Sequence, residues 1–170
     1  MILVTGATGF VGRAVTNMLE QSGKAWVAYE GDINDEVALR EQLQGVQSII
    51  HLAGAEARGR LRLLQQVDIN GTKKLLEAAE WAGVARLVMP SRVGADQHVV
   101  HQLLRIKREQ ERLVENGRIP YTIIRTTSLF GRNDRFSEMI VSLAIWSWPC
   151  VWLPGGGKTP IQPLWVVDFA

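Results

Sequence analysis

Residues Met1 to Gly12, MILVTGATGFVG, constrain this chain more than any other stretch. Apolar and β-favouring residues from Ile2 to Thr5 run straight into Gly6, Gly9 and Gly12, and Val11, Val15, Met18 and Leu19 recur at helical spacing. That order reads as strand, tight glycine turn, helix. In such a unit Gly6 makes the turn, Gly9 lets a phosphate approach the backbone, and Gly12 lets the helix lie close on the strand. The free N–H groups of the helix's first turn then face a pyrophosphate. Gly6, Thr8, Gly9, Phe10, Val11 and Gly12 are therefore expected to contact a dinucleotide. A turn that binds nothing is the competing reading.

A chain of 170 residues is long enough for one domain with a real core. Its 46% hydrophobic and 21% charged residues suit a soluble globular protein. A net charge of +2 gives no reason to expect nucleic acid or an acidic membrane as a partner. The basic clusters Arg58 to Arg62 and Arg105 to Arg108 read as solvated faces. Cys150 is the only cysteine, which rules out an internal disulfide. No signal peptide is recognisable at the N-terminus, so the expected location is cytoplasmic. The longest apolar run, Leu143 to Leu153, is interrupted by Ser147 and Pro149. It is too short for a membrane span, which takes roughly 20 residues.

After a first helix from Phe10 to Gln21, Ser22-Gly23 leads to a second strand over Ala25 to Tyr29. Asp32 or Asn34 is placed to cap a helix over Glu36 to Leu43, which Gly45 ends. Gln47 to Leu52 is an apolar run of strand length, followed by Ala53-Gly54. A helix from Leu63 or Asp68 to Ala82 carries Leu75, Leu76, Ala78 and Ala79 on its apolar side. Ala85 to Met89 reads as a strand, Pro90-Ser91 as a turn, and His98 to Asn116 as a long charged helix. Then come a strand over Tyr121 to Arg125, a helix over Phe136 to Trp146 and a short strand around Val151 to Leu153. A turn at Gly155 to Gly157 and a last strand from Ile161 to Val167 complete the pattern. Strands alternating with helices imply right-handed crossovers and a parallel sheet covered on both faces. The expected fold class is a single doubly wound α/β domain.

TGATGFVG at Thr5 to Gly12 resembles the TGxxGxxG of extended and atypical short-chain dehydrogenases/reductases, which bind NAD or NADP there. Gly31-Asp32-Ile33 resembles the family's Gly-Asp-Leu/Ile, in which the Asp side chain and the next backbone N–H contact adenine. A helix cap is the alternative role of Asp32. His51 to Gly54 is similar to the family's HLAG, whose small residues, here Ala53 and Gly54, let the backbone touch the adenosine ribose. His51 itself reads as a packed strand residue.

Asp68 to Val88 resembles the helix and strand that follow HLAG, and places Asn70 where the family has a structural or proton-relay Asn. Ser91 falls where the family places a catalytic Ser or Thr that hydrogen-bonds a substrate carbonyl. A turn-forming Ser is the alternative. Lys107, opening KREQE, is similar to the family's K-x-x-x-E helix, which implies a hold on the nicotinamide ribose. A Lys107/Glu111 pair is also ordinary helix support. Ile119 to Gly131 resembles PYTILRPxxLFG, and Gly155 to Ala170 resembles a segment found beyond the cofactor. The atypical branch is closest, with its NmrA-like, epimerase-like and complex I accessory-subunit-like members. The resemblance implies a Rossmann-like sheet, an NAD or NADP cofactor and a small-molecule substrate.

Three departures qualify what the resemblance implies. The family's proton-donating Tyr, four residues before the Lys, is Leu103 here, and leucine has no proton to give. Between the first helix and Asp32 the family has strand, helix and strand, whereas this chain has only Gln21 to Gly31. One strand–helix unit is expected to be missing, and with it the usual residue that reads NAD against NADP, for which Glu30 is a candidate substitute. The sequence ends at Asp168-Phe169-Ala170, where family members continue with substrate-binding elements, so a shallow pocket or one completed by another subunit is expected. Trp146, Trp148, Trp152 and Trp165 read as an interface for a second copy or another protein, or as core packing.

Three functional readings follow. A nucleotide-binding sensor, scaffold or assembly factor is favoured by Leu103. A reductase or sugar-nucleotide epimerase is favoured by Ser91 and Lys107, with His98, His101 or water as proton donor. A shortened domain that binds no nucleotide is favoured by the missing unit.

Overall fold

The computed structural model describes residues 1–56, 60–96, 101–147, 158 and 160–170. The strand Val151 to Leu153, the turn Gly155 to Gly157, and Arg58, His98, Trp148, Cys150 and Trp152 lie outside the described residues. Five strands form one parallel sheet: β1 (Ile2–Thr5), β2 (Trp26–Ala28), β3 (Ser48–His51), β4 (Arg86–Arg92) and β5 (Tyr121–Thr126). Their order in the sheet is β2-β1-β3-β4-β5. This is the order of a dinucleotide-binding sheet with the strand beyond β2 left out. The expected fold class is present, and the strand–helix unit expected to be missing is absent among the described residues.

The order also sets where the helices lie. The chain steps one way from β1 to β2 and the other way from β2 to β3 and onward. With right-handed crossovers, α1 (Phe10–Gln21) therefore lies on one face. On the other face lie α2 (Glu36–Gln42), the helical run α3 (Leu61–Leu64) to α4 (Thr72–Trp81), and α5 (Gln102–Glu115). The larger core sits on that second face. Leu3, Ile49, Leu87 and Met89 of the sheet pack with Leu39, Leu75, Ala78, Ala79 and Val114 of the helices. The topology reverses between β1 and β3, and ligands of such sheets bind at the strand ends over that reversal.

Several local readings are corrected. Asp35, not Asp32 or Asn34, caps α2, its carboxylate accepting from Val37 N at 3.1 Å and Ala38 N at 3.2 Å. The long middle helix is not uniform: Gln65–Gly71 is a π-helical stretch between α3 and α4. Pro90 and Ser91 are not a turn but part of β4, paired with Ile124 and Arg125. Pairing of β4 with β3 stops at Val88, so Pro90 falls where β4 has β5 as its ladder partner, a position that tolerates a missing N–H.

The last expected strand is shorter than Ile161 to Val167. Pro163 has no N–H to give, and β7 (Leu164–Trp165) begins after it, beside β6 (Leu129–Phe130). The chain then turns into α7 (Val166–Phe169). Gly131 leaves room for this turn, since a Cβ there would stand 2.7 Å from Val166 Cγ1. The helix α6 (Arg135–Trp146) precedes these elements in sequence. Core packing does not describe Trp146, which is 91% exposed, while Trp165 stacks edge-on against Phe130 at 5.2 Å between ring centres.

Candidate functional site

The glycine turn has the geometry its spacing implies. Gly6 takes φ +71°, and a Cβ there would lie 2.7 Å from Leu52 C and Ala53 N. The β1 and β3 loops thus touch backbone to backbone, which only glycine permits. A Cβ on Gly12 would meet Gly6 O at 2.1 Å, so that residue lets α1 close on the turn. Gly9 differs. Its N–H donates to Gly6 O at 3.0 Å, yet a Cβ on it would meet nothing but Gly6 O, at 3.2 Å, and Thr8 and Gly9 are exposed. No side chain caps α1, and no acidic residue stands in its first turn. The N–H groups after Gly9, with Phe10 and Val11 half-buried, therefore lead an unopposed positive helix end. This cradle suits an anionic group such as a pyrophosphate.

On the β2 side, Tyr29 N–H continues the ladder to Val4 O at 2.9 Å, and Glu30 follows it, exposed. The Gln42 side-chain amide grips Glu30 on both sides of its backbone, accepting from its N at 2.9 Å and donating to its O at 2.6 Å. Gln42 thereby satisfies backbone groups that a neighbouring strand would otherwise take. Asp32 is exposed, and its Oδ1 accepts from Asn34 N at 2.9 Å and Asn34 Nδ2 at 3.0 Å. The Asn34 backbone bond first, then its side chain, hold the Asp32 carboxyl below its ordinary pKa. Ile33 is buried, its side chain filling the space beside Gly71.

Over β3, Ala53 N–H donates to Thr5 Oγ1 at 3.2 Å, and Ala55 N–H donates to Asp68 Oδ2 at 2.9 Å. Beneath this loop runs a buried polar cluster that the sequence did not disclose. Thr5 Oγ1 lies 2.7 Å from His51 Nδ1, and His51 Nε2 lies 2.9 Å from Thr72 Oγ1. Gln110 Nε2 donates to Thr72 Oγ1 at 2.9 Å. Lys107 Nζ donates to Asp68 Oδ1 at 2.7 Å and to Gln110 Oε1 at 3.2 Å. Burial, and then Lys107, push the His51 pKa down to about 4, so its ring is neutral at pH 7. His51 is thus the packed strand residue its sequence implied.

The other expected residues lie apart from one another. Asn70 is exposed on the π-helical stretch, and Asp68, two residues earlier, takes the place beside Lys107. Lys107 does not pair with Glu111. Arg125 grips Glu111 with two bonds of 2.9 Å each, and Arg108 adds a third at 3.0 Å. Burial opposes ionisation of Glu111, but the bonds from Arg125, the nearby Ser91 hydroxyl and the bond from Arg108 outweigh it and hold its pKa down. Ser91 is buried beside that carboxylate, and among the described residues its Oγ has no partner in full hydrogen-bond geometry. Ser91 and Lys107 therefore belong to separate polar clusters.

At the ends of β4 and β5 a cleft of about 540 Å³ opens between Leu103 and Leu104 of α5, Thr126 to Ser128, and Pro160 to Gln162. Arg92 also lines it, ion-paired with Glu56 and donating to Thr127 O at 3.0 Å. Leu103 and Leu104, not Lys107, are the side chains that α5 presents there.

Residues 20–139 match a family model described as NAD(P)H-binding. The chain is 30% identical over 190 aligned residues to mouse (Mus musculus) mitochondrial NADH dehydrogenase [ubiquinone] 1 alpha subcomplex subunit 9, covering 98% of this chain and 50% of that protein. This chain belongs to the NAD(P)-binding atypical short-chain dehydrogenase/reductase superfamily. Its backbone is similar to a short-chain dehydrogenase/reductase superfamily protein of Agrobacterium tumefaciens with bound NAD, at 27% identity and TM-score 0.66, covering 76% of this chain and 50% of that one. It is also similar in fold to MoeE5 in complex with UDP-glucuronic acid and NAD, at 22% identity and TM-score 0.83, covering 99% of this chain and 69% of that one. The chain spans about half the length of the curated relatives it matches.

Within the superfamily, this member combines an open glycine turn with an apolar residue at the proton donor's place. His101, the proton-donor candidate that falls among the described residues, is exposed at the start of α5, and its side chain makes no cap bond. No described helix is long and apolar enough to cross a membrane.

Proposed function

We propose that this chain binds NAD in preference to NADP and does not carry out Tyr-dependent hydride transfer, serving as a nucleotide sensor, scaffold or assembly factor. The observation that carries the reading is an open glycine turn in a chain whose α5 presents Leu103, at the position of the family's proton-donating Tyr, to the cleft at the ends of β4 and β5. Gly6, Thr8, Gly9, Phe10, Val11 and Gly12 would hold the pyrophosphate, Asp32 and the Ile33 N–H the adenine, and Ala53 and Gly54 the adenosine ribose. The bound dinucleotide would supply hydride chemistry, but a hydride transfer to a carbonyl needs a proton donor, which Leu103 is not.

The preference for NAD follows from Glu30. It stands two residues beyond β2, the direct neighbour of β1, with its backbone fixed by Gln42. An exposed carboxylate there accepts from ribose hydroxyls and repels a 2′-phosphate. The exposed apolar side chains of α6 would serve a contact with protein.

The test is incubation of the protein with saturating NADH and a panel of aldehydes and ketones, following NADH consumption. The reading expects binding without turnover. Consumption that Leu103→Ala leaves intact and Ser91→Ala abolishes would overturn the non-catalytic part.

A further inference from the structure

Lys107 is the residue that the family resemblance would place on the cofactor, and its surroundings point elsewhere. Its side chain is 10% exposed, and the Asp68 side chain is fully buried. Two of the three ammonium donors are already given, to Asp68 Oδ1 at 2.7 Å and to Gln110 Oε1 at 3.2 Å. The other carboxylate oxygen of Asp68 takes the Ala55 N–H at 2.9 Å. One buried carboxylate thus ties α5 to the loop over β3. The fit is close, since a Cβ on Gly54 would stand 3.2 Å from Asp68 Oδ1. The near end of the same loop is tied to β1 by the Ala53 N–H on Thr5 Oγ1, and its backbone closes on Gly6.

We propose that the Asp68–Lys107 ion pair is a strut that sets the Ala53–Ala55 segment against the glycine turn. Lys107 then acts on a bound dinucleotide through Asp68 and Ala55, as a positioning residue. The proposal rests on the dinucleotide reading above. Its physical basis is the cost of the alternative. For Lys107 to leave and grip a ligand, Asp68 would remain as a buried, unpaired carboxylate, and breaking a buried pair from one side is strongly unfavourable.

The two roles of Lys107 predict opposite signs for one substitution. If Lys107 gripped the ligand, Asp68→Asn would free it and leave binding unchanged or tighter. If the pair is a strut, Asp68→Asn weakens binding as Lys107→Met does. The double variant Asp68→Asn/Lys107→Met keeps an acceptor for the Ala55 N–H and leaves no buried charge, so it restores much of what either single change loses.

The experiment measures NAD affinity by titration, and amide hydrogen exchange at Ala53, Gly54 and Ala55 without nucleotide, for all four proteins. The expected result is about tenfold weaker binding and at least about tenfold faster exchange in each single variant, with substantial recovery of both in the double. Unchanged exchange in Asp68→Asn, or tighter NAD binding in it beside weaker binding in Lys107→Met, overturns the strut. Should wild type bind no dinucleotide, the functional reading fails by itself, and the exchange rates still decide the strut. Should a single variant not fold, a folded double variant with near wild-type exchange at Ala55 upholds the pair, and an unfolded or fast-exchanging double overturns it.

Discussion

Gly9 separates binding from folding more cleanly than any other residue here. Gly6 and Gly12 are needed by the fold itself, because a Cβ on either would enter backbone at 2.7 Å or 2.1 Å. Gly9 has an extended, unstrained backbone at φ −70°, and a Cβ there would meet one oxygen at 3.2 Å. Gly9→Val is expected to cost about 1 kcal/mol or less in urea unfolding and to abolish dinucleotide binding in a titration. His51 makes a second residue-scale prediction. Its folded pKa of about 4 lies below the ordinary 6.5, so the unfolded chain binds the extra proton between those values. Its contribution is therefore whole above pH 6.5 and is lost as pH falls towards 4, by about 3 kcal/mol at most. Urea midpoints across that range should fall in wild type and fall less in His51→Gln. The glycines were legible in sequence because backbone sterics are local. Asp68 was not, because its meaning lies in a lysine 39 positions away.

At the scale of elements, α5 is anchored by charge as well as by the apolar packing of Ile106 and Val114. Glu111 is fully buried and holds Arg125 of β5 and Arg108 of its own helix, while Arg125 reaches on to Asp96 at 2.7 Å. Glu111→Gln would leave the Arg125 guanidinium, 34% exposed, without its main partner. Partial exposure lowers the cost from that of a wholly buried pair to about 2 kcal/mol, to be read as a lower urea midpoint. Strands and helices with clear periodicity were legible: Ile2 to Thr5 and Phe10 to Gln21 fall where their residues predict. Elements decided by distant neighbours were not. Pro90-Ser91 carries turn residues, yet pairing with β5 holds it as strand. A π-helical stretch likewise has no propensity signal, and only its tertiary partners mark it.

At the scale of the whole molecule, α6 is the exception to an otherwise ordered polarity. Met139, Ile140, Val141, Leu143, Ile145 and Trp146 are all exposed, and they spread around most of the helix circumference. A helix apolar on so many sides is normally covered. Sedimentation velocity should show association that grows with concentration and falls in Ile145→Lys/Trp146→Lys; a strictly monomeric wild type would argue against a contact between copies. The doubly wound parallel sheet was legible from alternating strands and helices, and so was the missing unit, because chain length between Gln21 and Gly31 leaves no room for it. The proposed preference for NAD rests on Glu30, two residues beyond β2, the direct neighbour of β1. The measurement that tests the account most directly is calorimetric titration of the purified chain with NAD⁺, NADH, NADP⁺ and NADPH. The account predicts binding of the NAD pair at micromolar strength and weaker binding of the phosphorylated pair. A folded protein that releases no heat and gains no thermal stability with any of the four would contradict it.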